Sequence, residues 1–138
     1  MSNAPPNNLR YSKQDAAKYN ELTSDDLSPF QGMPYKDVLV YAAAYGFRNG
    51  LREPLENPQP NIPFTALKDR DIWLLKAIAV AEDDSLSVLQ NESDLYRVPE
   101  EYANGAIEEL YREVLAGKPG DPLERMTEDV LNLVEEGS

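Results

Sequence analysis

The chain contains neither histidine nor cysteine. Without an imidazole or a thiol there can be no Ser–His or Cys–His nucleophile. Cys/His zinc sites, disulfide frameworks and thiol redox chemistry are excluded on the same ground. The glycine patterns of phosphate loops and dinucleotide folds are missing too. The uncharged run Val38–Phe47 falls far short of the roughly 20 apolar residues a spanning helix needs. The first residues lack the basic-then-apolar order of a secretory signal. Together with the absence of cysteine, this leads to the expectation of a cytoplasmic protein.

Basic residues are also scarce, at 13 Lys and Arg against 25 Asp and Glu, for a formal charge of −12. A surface this acidic disfavours broad, non-specific nucleic-acid binding, which relies on cations that displace counterions from phosphate. The imbalance is uneven. Residues 1–81 hold nine acids and nine bases, whereas residues 82–138 hold sixteen acids and four bases. The whole net charge therefore belongs to the C-terminal part, and any basic surface to the N-terminal part.

At 138 residues the chain suits one domain plus a tail. Residues 1–33 read as a flexible N-terminal arm and linker. Ser12 is placed as a helix N-cap, with Asp15 three residues on. A short helix follows to Leu22, and Thr23–Pro34 reads as a linker rich in Ser, Asp, Pro and Gly. Residues 34–138 read as a single helical domain. Pro34 opens a helix whose apolar positions are Val38, Leu39, Ala42, Ala43 and Phe47, with Gly46 and Gly50 allowing it to stop. Four prolines between Arg48 and Pro63 mark a loop, with an extended piece around Ile62–Thr65. A helix over Leu67–Glu82 shows apolar residues on a wide arc, including Trp73, Leu74 and Ala77, and is expected to be central. A short helix is expected at Leu86–Gln90. A helix from Pro99 to Gly117 carries the stripe Tyr102, Ala106, Leu110 and Val114. A last helix starts at Asp121 and carries Leu123, Met126, Val130, Leu133 and Val134. With no alternating stretch evident, the expected fold is all-α, a small bundle of four to five helices.

Carboxylates are the remaining source of reaction chemistry. Glu109 and Glu113, and Glu124 and Glu128, are spaced four apart. Such pairs hold magnesium in all-α nucleotide hydrolases when they face inward. Here they fall beside or opposite the apolar stripes, where solvated faces belong. Tyr35, Tyr41, Tyr45 and Phe47 form either a stacking platform for bases or ordinary core aromatics. Arg48 and Arg52 lie at the end of the first domain helix and in the loop beyond. They read either as cations that cap a helix C-terminus or as contacts to phosphate or an acidic partner, with Lys36, Lys68 and Arg70 nearby. Asn104 and Gly105 stand out as poor helix formers in mid-helix. They mark either a place where another backbone packs closely or a polar contact surface.

The stretch Tyr35-Lys36-Asp37-Val38-Leu39-Val40-Tyr41-Ala42-Ala43-Ala44-Tyr45-Gly46-Phe47, then Gly50 and Arg52-Glu53-Pro54-Leu55, resembles a small bacterial and archaeal family. The pattern continues in Ile62-Pro63-Phe64 and in Glu101-Tyr102-Ala103-Asn104-Gly105. That family, the fourth Dnd-system-associated protein, is found beside genes that place sulfur in the DNA backbone and restrict unmodified DNA. The resemblance spans roughly Pro34 to Leu115 and carries over no catalytic residue. It implies a non-enzymatic accessory or regulatory role in a phosphorothioation-linked modification–restriction system. The implied partners are other components of that system or DNA, and no cofactor is implied. The acidity allows a different reading, a DNA mimic that occupies a partner's DNA-binding groove. Apolar faces on so short a bundle also raise the expectation of a homodimer.

Overall fold

The computed structural model describes residues 7–83 and 86–116. Strand β1 (Asn8–Ser12) leads through a 3-10 turn into helix α1 (Ala16–Ser24), followed by α2 (Tyr35–Asn49) and strand β2 (Pro58–Pro63). Helix α3 (Asp69–Asp83), a 3-10 turn at Leu86–Gln90, the single turn α4 (Glu92–Leu95) and α5 (Arg97–Tyr111) complete the order, and a π turn (Arg112–Ala116) closes α5. Helices α2 and α5 cross closely at the centre of the molecule.

The strands overturn the all-α expectation. β1 and β2 form a two-stranded antiparallel sheet, so the protein is a small mixed α/β fold. The strand signal was short: Leu9 and Tyr11 alternate with Asn8 and Arg10, and only the former pair is buried. Proline obscured the partner strand. Pro58, Pro60 and Pro63 cannot donate ladder hydrogen bonds and are excluded from central strands, but both strands of a two-stranded ribbon are edges. The register also slips. Leu9 faces Ile62 while Tyr11 faces Gln59, so β2 carries one extra residue between them. At that slip the Arg10 N–H donates to Glu100 Oε2 of α5 at 2.6 Å. A two-stranded ribbon is marginal by itself. Here the guanidinium of Arg10 also grips Glu100, Nη2 to Oε1 at 2.9 Å, and pins the ribbon to α5. Burial pushes the Glu100 carboxyl above the usual carboxylate range, against the pull of Arg10.

Within the expected flexible arm, residues 7–33 are instead folded. Leu9, Tyr11, Tyr19, Leu22 and Phe30 are all buried. Tyr11 stacks on Tyr19 with centroids 4.6 Å apart, and Tyr35 meets Tyr19 at 5.8 Å, joining β1, α1 and α2. Ser12 does not cap a helix: it is fully buried, and its hydroxyl is engaged by α5 and the loop after α2. The expected stripe of α5 is observed, since Tyr102, Ala106, Leu110 and Val114 are buried. Helix α3 is not central. Its buried positions, Asp71, Leu75, Ile78 and Ala79, lie on one side, while Trp73, Leu74 and Ala77 face outward. The helix expected from Asp121, and the pair Glu124 and Glu128, lie outside the described residues.

Candidate functional site

The two sequence blocks that carry the family resemblance pack against each other. Helix α2 ends at Gly50, whose φ of 66° is in the left-handed region that favours glycine. The Leu51 N–H then returns to the Gly46 carbonyl at 2.9 Å, and the chain runs across α5. Two glycines permit the crossing. A Cβ on Gly46 would strike the carbonyl of Tyr102, and one on Gly105 would enter the carbonyl of Leu51. The oddity of Asn104-Gly105 in mid-helix is thereby explained: at Gly105 another backbone lies directly against the helix.

Asn104 acts beside it as a clamp. Its Nδ2 donates to the carbonyls of Glu53 and Pro54 at 3.2 and 2.9 Å. Its Oδ1 accepts from Ser12 Oγ at 2.6 Å, and Ser12 Oγ in turn accepts from the Glu56 N–H at 2.9 Å. A further backbone bond runs from the Glu53 N–H to the Glu101 carbonyl at 3.1 Å. The loop 51–56 is thus held as firmly as a strand. Asn104→Ala is expected to cost about 2 kcal/mol, because it leaves Ser12 and two carbonyls short of partners. Urea denaturation measures the loss, and faster proteolysis within 51–56 shows that the loop is what loosens.

Arg52 stands on this loop. Its Nε donates to Glu101 Oε1 at 2.7 Å and its Nη1 to Glu82 Oε1 at 3.1 Å. The Tyr102 hydroxyl donates to the other oxygen of Glu82. The guanidinium lies 6.0 Å from the Tyr102 ring centroid, and Phe47 meets that ring edge-on at 5.4 Å. Burial alone would lower the Arg52 pKa, but the two carboxylates outweigh it and raise it. The bond from Tyr102, aided by Arg52, holds Glu82 below the usual carboxylate range against the effect of burial. Arg52 therefore ties the end of α2 to both α3 and α5. A phosphate reaching it would meet the two carboxylates already in place.

The five cations singled out from sequence fall into two groups. Arg48 is exposed near Arg52, at the C-terminal end of α2. Lys36 lies at the other end, twelve residues or about 18 Å along the helix. It is buried, with Nζ 2.6 Å from Asp71 Oδ2 and 2.9 Å from Asp37 Oδ1. Asp71 also accepts the Lys68 N–H at 2.9 Å, so Lys68 and Arg70, both exposed, belong to the Lys36 end. Sequence proximity to a helix terminus could not separate these groups, because the pairing of α2 with α3 decides it.

Other candidates resolve plainly. Glu109 and Glu113 are exposed on the outer side of α5, as is Glu108, which pairs with Arg112 at 3.7 Å. Among the described residues no three potential metal ligands come together. Tyr35 and Tyr45 are partly buried, whereas Tyr41 and Phe47 are each about 40% exposed, against Phe30 and Tyr102 respectively. Sequence reasoning did not single out Glu100, and it misjudged Trp73. The available signal for Trp73 was an excess of apolar residues around α3, more than one buried side can use.

Fold and site define a small mixed α/β protein in which two sequence blocks clamp one another at a corner carrying Arg48 and Arg52. No described helix is long and apolar enough to cross a membrane. The chain belongs to the family described as DNA sulphur modification system-associated protein 4, which it matches over residues 8–136. The match takes in the N-terminal strand as well as the two blocks. No curated protein and no solved structure matches the chain.

Proposed function

We propose that this protein is a non-enzymatic accessory component of a DNA sulphur-modification system that works by docking onto another protein of the system. The supporting observation is the corner where the family blocks meet. Phe47 and Arg48 at the end of α2, with Arg52 and Glu53 on the loop pinned by Asn104 and Gly105, form an exposed surface with an aromatic and two arginines, beside the partly buried Glu101. A preordered surface of this kind loses little entropy on binding, and aromatics and arginine are the residues that dominate protein interfaces. Its cations are poorly arranged for DNA. Arg52 is flanked by Glu82 and Glu101, and Lys36, Lys68 and Arg70 lie at the other end of α2, so Arg48 is left without a cluster.

The test combines two measurements. Plain and phosphorothioated duplexes, at low and moderate salt, are expected to show no binding. Titration against purified proteins of the sulphur-modification machinery is expected to show a complex that Arg48→Glu weakens at least tenfold, with a fall in melting temperature of no more than about 4 °C from the unfavourable charge at the end of α2. Salt-sensitive duplex binding lost in Arg48→Ala would overturn the protein-docking reading in favour of direct DNA contact. A complex unaffected by Arg48→Glu but lost on neutralising Glu108, Glu109 and Glu113 would favour the DNA-mimic reading.

A further inference from the structure

Asparagine followed by glycine occurs twice in the chain, at Asn49-Gly50 and at Asn104-Gly105. In this dipeptide the asparagine amide is readily lost, because no Cβ on the glycine hinders attack by its backbone nitrogen. That nitrogen bonds to the asparagine Cγ, and the bond from Cγ to Nδ2 breaks. The amide departs as ammonia, carrying the proton that the glycine nitrogen gives up, and a cyclic imide remains. Water then opens the ring at either carbonyl and leaves aspartate or isoaspartate. Reaction requires the glycine nitrogen to be free of its hydrogen bond and the asparagine amide to turn onto it. The rate therefore follows the population of the locally opened state.

Opening costs different amounts at the two sites. Asn49 is exposed and is the last residue of α2, so no further helical turn holds it. The Gly50 N–H is shared between the carbonyls of Gly46 and Phe47, with 3.4 Å to the latter. The Asn49 Nδ2 donates to the Tyr45 carbonyl at 2.9 Å on the exposed surface. Fraying of one helix end releases these contacts together. Asn104 stands in the middle of α5, and its amide is engaged by Ser12, Glu53 and Pro54. The Leu51 carbonyl lies against Gly105. Opening there means lifting the 51–56 loop off α5. We propose that Asn49-Gly50 is a site of spontaneous modification, losing its amide to water through the imide, and that the clamp keeps the identical dipeptide Asn104-Gly105 intact. Either product adds a negative charge next to Arg48, at the end of α2 where the helix dipole is itself negative. The isoaspartyl product also lengthens the main chain by a methylene, just ahead of the bond from Leu51 to Gly46 that starts the 51–56 loop.

The experiment uses the full chain, folded, in warm and mildly alkaline buffer, beside a sample in denaturing urea. Peptide mapping by mass spectrometry distinguishes asparagine, aspartate and isoaspartate at each position over time. In the folded chain Asn49 is expected to convert roughly tenfold faster than Asn104, or more. In urea the two should convert at similar rates, since only the fold distinguishes them. Ser12→Ala removes one partner of the Asn104 amide and leaves both dipeptides in place, so it should speed conversion at Asn104 several-fold and leave Asn49 unchanged. Asn49→Gln, whose longer side chain would have to close a larger ring, should abolish the early conversion. Equal rates at the two sites in the folded chain overturn the proposal. So does a folded chain that keeps both amides long after the urea sample has lost them, and so does early conversion that persists in Asn49→Gln. An Asn104 rate indifferent to Ser12→Ala overturns the protective part played by the clamp.

Discussion

Gly105→Ala is expected to destabilise the protein by about 3 kcal/mol, at the upper end of what overpacking costs. In most helices the same change would help, since alanine is the better helix former by about 1 kcal/mol. Here the added methyl enters the Leu51 carbonyl, which is backbone and cannot swing aside as a side chain could. Leu51 is in turn fixed by its bond to Gly46, and Glu53 by its bond to Glu101. Relief therefore requires the 51–56 loop to lift away from α5, which breaks the Asn104 and Arg52 contacts together. For a chain of this size the shift in Tm is roughly 10 °C. Thermal melting of the variant measures it. An unchanged or raised Tm would mean that the α5–loop contact is not as close as the structure has it. Combined with Asn104→Ala, the loss should be less than additive, because both changes release the same loop.

Lys36→Met is the second large effect, with an expected loss of about 3–5 kcal/mol from breaking a buried pair on one side only. The variant leaves the Asp71 carboxylate buried with just the Lys68 N–H for company. Replacing both partners, Lys36→Met with Asp71→Leu, should recover most of the loss, since a buried ion pair contributes little beyond what apolar packing supplies. The pair also sets a pH dependence. Burial alone would raise the Asp71 pKa, but the bonds from Lys36 and the Lys68 N–H prevail and hold it below the usual carboxylate range. A depressed carboxylate contributes stability that is complete above its unfolded pKa of about 4 and is lost as pH falls through the lower folded value. Glu100 works in the opposite sense. Its folded pKa is raised, so its contribution is present at low pH and declines as pH rises through that folded value. Between about pH 2 and pH 5 the Asp71 pair should therefore lower denaturation midpoints on acidification while Glu100 opposes it, and Asp71→Asn should remove the fall that Asp71 contributes.

These two predictions show why Lys36 was misread. In the sequence Lys36-Asp37 at a helix start is an exposed cation beside an acid in the first turn. Its burial arises from α3 bringing Asp71 to it across thirty-five residues, a juxtaposition that no periodicity records. Arg52 was singled out for lying beyond the helix-ending glycine, and it does hold the central position of the site. Its partners, Glu82 and Glu101, were legible only as members of other helices. The family resemblance was visible in local strings of residues, but that Arg52-Glu53-Pro54 and Glu101-Tyr102-Ala103-Asn104-Gly105 clamp one another was not.

Composition alone excluded histidine, thiol and zinc chemistry, because those need atoms the chain does not possess. Helical periodicity alone placed α2, α3 and α5 to within a few residues and identified the buried stripe of α5, since a 3.6-residue repeat is a local property. Three matters rested on the tertiary structure. Strands β1 and β2 form because each supplies what the other lacks, and proline hides such a pairing from any local pattern. Gly105 is required by a backbone some fifty residues away in the chain. The outward face of α3 is decided by how many helices are present to cover it, and an apolar sequence specifies only that the face would be better covered.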